Sequence, residues 1–367
     1  MDGSEVMAME CVLTSVEEAD PTPLEMSSTC PPQRHVMFLK THKCGSSTVQ
    51  NVLFRYGLTQ NLSFALPLVG SSLKSNEKFM TSMIPESLLP PDGKVDIFAV
   101  HSRLNAEEHR RVLAEDAKWV TIVREPASLF ESLYTYYGIG RWYKLDLTEL
   151  TNFPMEKLRA LPRFGKTLGN NQMLFDLGFD ADLSEAQLRQ AIEELDSLFD
   201  LVMVAERMDE SLVLLRHLLC WSLHDVVVFT KNARGEGART ALDAHTRQRL
   251  REMNDADVRL YEHFLAKHRR AVLAFGARRM AREVAALRKL RDRSFEDCGV
   301  FRVEGHNPFP KFREYSGLVG AYATASEDEQ CQRLVFSEEA LLDEAKQRQL
   351  SLFEDVGRAR QRSGPDV

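Results

Sequence analysis

The sequence predicts an α/β protein, a mostly parallel sheet flanked by helices with a helical C-terminal part, and three observations carry that reading. Short, largely apolar runs recur at 36–39, 95–100, 119–123, 201–204 and 226–229; such runs suit strands buried on both faces. Helix-period segments stand between them at 47–56, 104–114, 126–138, 184–197 and 209–220, and alternation of this kind implies right-handed crossovers with helices on both sides of one sheet. At 367 residues and 44% hydrophobic, the chain is large enough to bury a sizeable core. We expect one main domain over 35–300, preceded by an N-terminal segment 1–34 and followed by an extension 301–367, partly helical with a charged tail that frays beyond about residue 345.

Residues 1–34 are acidic, contain Pro, Ser and Thr, and lack apolar periodicity, which predicts disorder. The first strand then feeds the run His35-Val-Met-Phe-Leu-Lys-Thr-His-Lys-Cys-Gly-Ser-Ser-Thr48. A strand, a short loop with lysines, a glycine and hydroxyl residues, and a helix start together make a phosphate cradle. The helix start offers backbone N–H groups and a partial positive charge to an anion, and Lys43 with Ser46, Ser47 and Thr48 can complete its coordination. A nucleoside-triphosphate loop would need G-x-x-x-x-G-K-[ST]. Here Lys43 precedes Gly45 instead of following a second glycine, so a nucleotide kinase is the weaker alternative.

The strand at 95–100 delivers His101-Ser-Arg103, and the strand at 119–123 ends in Arg124-Glu-Pro before an aromatic-rich helix. Arg124 and Ser132 lie eight residues apart, just over two helical turns, so both can reach one phosphate. Lys43, His101 and Arg124 all follow strand carboxyl ends, where ligands of such sheets bind. The segment 170–180 reads as a turn beside an acceptor or nucleoside pocket, or simply as a capped loop. Lys231 and Arg234 follow the 226–229 run, within reach of a phosphate or solvated. Residues 243–293 are almost continuously helix-forming, and 267–293 carry ten Lys or Arg against Glu283 and Asp292. A solvated face is the plain reading and a membrane-surface contact the other.

The two phosphate elements resemble those of sulfotransferases that use 3′-phosphoadenosine 5′-phosphosulfate (PAPS). In that resemblance Lys43, Cys44, Gly45, Ser46, Ser47 and Thr48 form the 5′-phosphosulfate loop, and Arg124 with Ser132 the 3′-phosphate site. Phe38 to Gln50, Asn61-Leu-Ser-Phe64, Phe175-Asp-Leu-Gly-Phe-Asp180, Asp209-Glu-Ser-Leu-Val-Leu-Leu215 and Asp257-Val-Arg-Leu-Tyr-Glu-His-Phe264 are similar to the galactose-3-O-sulfotransferase family, which includes the galactosylceramide sulfotransferases. The resemblance runs over about 35–300. It departs from the pattern at Cys44, where threonine is usual, and no N-terminal membrane anchor is visible. It implies a P-loop-like fold, transfer of a sulfuryl group from PAPS to the 3-hydroxyl of a galactosyl glycolipid or glycan, and a Golgi-lumenal setting.

For that chemistry His101 is the expected general base, since imidazole titrates near neutral pH. His42 is the competitor, and Lys43 would stabilise the leaving phosphate. Arg103 either holds the sulfuryl group or acceptor, or is solvated. No step calls for a metal, and the six cysteines have no metal-ligand spacing. Cys298 and Cys331 have two readings, a bridge in an oxidising lumen or two buried thiols. Asn61-Leu-Ser63 is the one glycosylation sequon, an acceptor if the chain enters the secretory pathway and a chance triplet otherwise. A formal charge of −7 argues against general nucleic-acid binding. No apolar stretch approaches the ~20 residues of a membrane span. A PAPS-binding protein that has lost catalysis, with Cys44 perturbing the cradle, is the remaining alternative.

Overall fold

The structure is a computed structural model that describes residues 30–154, 156–157, 160, 169–230, 242–303, 310–312 and 320–362, and the compact unit treated below is Pro32–Val367. Lys231 and Arg234 lie outside the described residues. Four parallel strands, β1 (Val36–Leu39), β2 (Ile97–Phe98), β3 (Lys118–Val123) and β4 (Leu201–Val204), form one sheet in the order β2-β1-β3-β4. The pairing Leu39↔Thr121 and Val123↔Val204 brings the strand ends into line at one edge. Every residue of β1 is buried, as its uninterrupted apolar sequence requires.

The chain leaves β1 toward β2 and then crosses to β3 on the other side of β1. This reversal makes the crevice between β1 and β3 the topological switch point, where open α/β sheets bind ligands. Helix α1 (Ser46–Thr59) leaves that crevice directly. It is buried nearly all round, and Gly57 allows the approach of Phe64, whose ring would meet an added Cβ at 2.4 Å. Helix α2 (Ala106–Val112) follows β2. Helix α3 (Pro126–Tyr137) follows β3, with proline in its first turn and the Glu125 carboxylate accepting from the N–H groups of Ala127 and Ser128. The short helices α4 (Ile139–Tyr143), α5 (Leu147–Asn152) and α6 (Gln172–Asp176) come next. Helix α7 (Glu185–Leu198), opened by a Ser184–Gln187 capping box, precedes β4, and α8 (Met208–Leu219) follows it.

Two of the expected strands require correction. The strand expected over 95–100 pairs regularly only at Ile97–Phe98, and beyond it single bridges, Val95↔Leu113 and Ser72↔His101, carry the edge. The run 226–229 is buried but is not a strand. The Arg55 guanidinium takes the Val227 carbonyl and the Val227 N–H turns back to His224 O, so these groups have no ladder to join. The helical stretch 243–293 is three helices, α9 (Ala244–Met253), α10 (Asp255–Phe275) and α11 (Ala277–Asp297), broken at Asn254 and at Gly276, whose φ is 97°.

An antiparallel pair, β5 (Val300–Val303) with β6 (Ala321–Thr324), and helices α12 (Glu329–Val335) and α13 (Glu338–Arg362) complete the unit. Regular structure thus continues past residue 345, where a frayed tail was expected: Gln349 is buried, its amide donating to Phe64 O and Leu88 O. Cys298 and Cys331 form a disulfide, which resolves the two readings in favour of the bridge. Among the described residues no helix is long and apolar enough to cross a membrane.

Candidate functional site

The loop between β1 and α1 closes on itself through side chains. Thr41 Oγ donates to Ile122 O (2.7 Å), and Ser46 Oγ donates back to Thr41 O (2.7 Å), which ties the loop to β3 and fixes the start of α1. Gly45 is the helix N-cap in the left-handed region, φ 77°, where a side chain is strained and would meet Met208 Cε at 3.2 Å. A glycine N-cap supplies no side-chain acceptor, so the N-terminal end of α1 keeps its electropositive character for a ligand.

Cys44 is fully buried, and its thiol donates to His42 O at 3.4 Å. Burial raises its pKa far above the usual thiol range, leaving it protonated and inert. A thiol here keeps the donor role of a hydroxyl, so the cradle's backbone path does not depend on threonine. Lys43, itself at φ 55°, lays its ammonium over the Tyr136 ring, 3.5 Å from the centroid. Tyr136 is one helical turn beyond Ser132 on α3, so Lys43 meets the face that carries the buried Ser132. Arg124 donates from Nη1 to Lys43 O at 2.7 Å, so the tip of β3 holds the cradle from the other side of the crevice.

His101 stands at the same edge. Its Nδ1 lies 2.9 Å from Lys40 O. A carbonyl only accepts, so Nδ1 carries the proton and the neutral ring keeps a lone pair on Nε2. Burial first, and then the neighbouring Lys40, His42 and Lys43, push its pKa well below the ordinary histidine value. The His42 ring stacks on His101 with centroids 4.4 Å apart. Asp176, at the end of α6, accepts from the His42 backbone N–H (2.6 Å), pairs with Nδ1 (2.8 Å), and also accepts from Gln172 Nε2 (2.9 Å).

Asp176, Gln172 and Tyr136 were missed as site residues in the sequence. The 170–180 segment was set apart there without contacts being assigned. The pattern of polar residues every four positions, Gln172 then Asp176, was the available signal for one helical face. Arg103 is neither solvated nor turned to the cradle in this structure: it donates to Phe175 O, Phe179 O and Asp180, and its guanidinium covers the Phe175 ring at 4.2 Å. It therefore shapes the 175–180 turn that carries Asp176.

A cavity of about 810 Å³ opens at the end of β4, with Thr48, Glu206, Arg207, Tyr261, Arg269 and Arg291 among its walls. Thr48 joins it to the cradle. Among the described residues no group of His, Cys, Asp and Glu is placed to hold a metal ion.

With this geometry in view, a family model described as Galactose-3-O-sulfotransferase matches residues 6–304. The chain belongs to the galactose-3-O-sulfotransferase family. Galactosylceramide sulfotransferase of Bos taurus is 39% identical over 276 residues, 73% of this chain and 65% of that protein. Galactose-3-O-sulfotransferase 3 of Homo sapiens is 36% identical over 288 residues, 75% of this chain and 66% of that protein. Galactose-3-O-sulfotransferase 2 of Homo sapiens is 35% identical over 329 residues, covering 84% and 82%. The chain spans about 65% of the length of the galactosylceramide sulfotransferase it matches. Within this galactose-3-O-sulfotransferase family member, the cradle and the histidine pair occupy one strand-end crevice.

Proposed function

We propose that the protein transfers a sulfuryl group from PAPS to the 3-hydroxyl of a galactosyl residue on a glycolipid or glycan. The observation that carries this reading is the convergence of the Lys43 cradle with a neutral His101 whose Nε2 lone pair is fixed by the Nδ1 bond to Lys40 O. Lys43, the Thr48 hydroxyl and the backbone N–H groups from Cys44 to Ser47 would hold the phosphosulfate end, the Ser46 and Ser47 hydroxyls being engaged by Thr41 O and Glu338. Arg124 and Ser132 would hold the 3′-phosphate, and the cavity beside Thr48 is of a size suited to the nucleoside.

When bound, PAPS supplies an activated sulfuryl group. His101 Nε2 takes the proton of the attacking hydroxyl, and Lys43 with the α1 N-terminus offsets the negative charge that gathers on the phosphate side. His42, fixed by Asp176, stacks on His101 and limits its rotation. The Cys298–Cys331 bridge and the exposed Asn61 support a lumenal, Golgi setting.

Incubation of the purified chain with radiolabelled PAPS and a panel of galactosylceramide, lactosylceramide, N-acetyllactosamine and heparan tests the proposal. Transfer to the galactosyl acceptors is expected, with Lys43→Ala and His101→Ala each reducing it by about 10²- to 10⁴-fold. Binding of 3′-phosphoadenosine 5′-phosphate without any transfer would point to a protein that has lost catalysis. Full activity in both folded variants would overturn the residue assignment.

A further inference from the structure

The cradle is also held by a part of the chain outside residues 6–304, the stretch matched to the family. Glu338, the first residue of α13, places Oε1 2.5 Å from Lys40 Nζ and Oε2 3.3 Å from Ser47 Oγ. Lys40 is the residue through which β1 enters the loop, and its side chain is completely enclosed. Ser47 lies in the first turn of α1. One carboxylate thus grips the loop where it begins and where its helix starts.

The position of Glu338 is itself fixed. Ser337 caps α13 by accepting from the Ala340 N–H, and the Ser337 N–H donates to Lys311 O at 3.0 Å. Gln349, three turns on, exchanges hydrogen bonds with both the N–H and the C=O of Phe64. Asn51 of α1 donates to Arg333 O at 3.0 Å, and the Cys298–Cys331 bridge ties α12 to the end of α11. A carboxylate beside an anion site would repel the ligand, but Lys40 neutralises this one, and the α13 N-terminus favours its charge. The pair therefore braces the loop without opposing an incoming phosphate. A hydroxyl has one proton, so while Ser47 gives it to Glu338 it meets an anion through its backbone N–H.

We propose that Glu338 is a positioning residue for the phosphosulfate loop: by holding Lys40 and Ser47 together it preorganises the cradle and sets affinity for the donor, not for the acceptor. This rests on the reading of the loop as the PAPS site. Supporting partners that orient a binding shell characteristically change affinity by ~10- to 100-fold when removed. In the full chain, E338A should raise the calorimetric Kd for 3′-phosphoadenosine 5′-phosphate and the KM for PAPS by about tenfold or more. The acceptor KM should stay within about twofold, because only the donor's loop is loosened. E338Q, which keeps the side chain's shape and one acceptor oxygen but loses the charge and the second acceptor, should retain part of the hold and fall between wild type and E338A.

Wild-type donor affinity in folded E338A or E338Q overturns the proposal, as does an equal rise in both Michaelis constants. If E338A does not fold, the isosteric E338Q decides alone. Failure of the wild-type chain itself to bind 3′-phosphoadenosine 5′-phosphate would sink the PAPS reading, a result distinguishable from any variant effect.

Discussion

The state of the His101 ring depends on contacts that its sequence position alone does not disclose. Its place after a strand suggested a base; its tautomer depends on Lys40 O, a backbone atom 61 positions away. Burial and the Lys40 ammonium, with His42 and Lys43 nearby, depress its pKa, so the ring is neutral and competent at neutral pH and stays so on mild acidification. The acid limb of kcat/KM, which reports loss of the neutral base, should therefore lie below pH 6.5, the ordinary histidine value. A limb at or above that value, measured across pH 4.5–8, would count against His101. The same depression means that stability contributed by neutral His101 is present above the unfolded-state value and is lost as pH falls through the folded one. Arg103 teaches the reverse lesson: a strand-end arginine next to the expected base spends its donors on the 175–180 turn.

At the scale of elements, the short helix α6 matters because it ends on Asp176. Its N-terminal N–H groups at Met173 and Leu174 each donate at 3.0 Å to Asp257, a fully buried carboxylate from α10. Burial raises the Asp257 pKa to about 7. A raised carboxylate favours its protonated form in the fold, so this stability is present below the unfolded value and is lost as pH rises through about 7. Asp257→Asn, which does not titrate, should flatten the decline of Tm between pH 5 and 7.5; an unchanged slope by differential scanning calorimetry would refute the assignment. In the cradle, Gly45→Ala forces a side chain into the left-handed region and toward Met208. It should cost about 1–2 kcal/mol of stability and weaken binding of 3′-phosphoadenosine 5′-phosphate, both accessible by thermal melts and calorimetry.

Across the whole molecule, the C-terminal helices complete a unit that the family match leaves open at residue 304. They cover α1, which explains why that helix is buried around nearly its full circumference. The Cys298–Cys331 bridge closes the chain between α11 and α12. Replacing both cysteines with serine should cost about 2–4 kcal/mol, read as a lower Tm under non-reducing conditions. A melt of the natural chain that is the same with and without reductant would contradict it.

The local sequence determined the parallel strands, the glycine-and-lysine loop at a helix start, the Arg-x-Pro entry to α3, and His101 at a strand end, because strand burial, helix starts and turn residues are written in runs of a few positions. It misjudged 226–229, whose apolar run is as strand-like as the others, since strand character needs a neighbour to pair with and Arg55 claims that backbone instead. Only the tertiary structure decided that Asp176 fixes His42 across 134 positions and that Glu338 reaches Lys40 across 298. Such pairs are single contacts between distant segments: they leave no periodicity for a sequence to show, and they come into being only when the sheet edge and the closing helices bring those segments within hydrogen-bond reach.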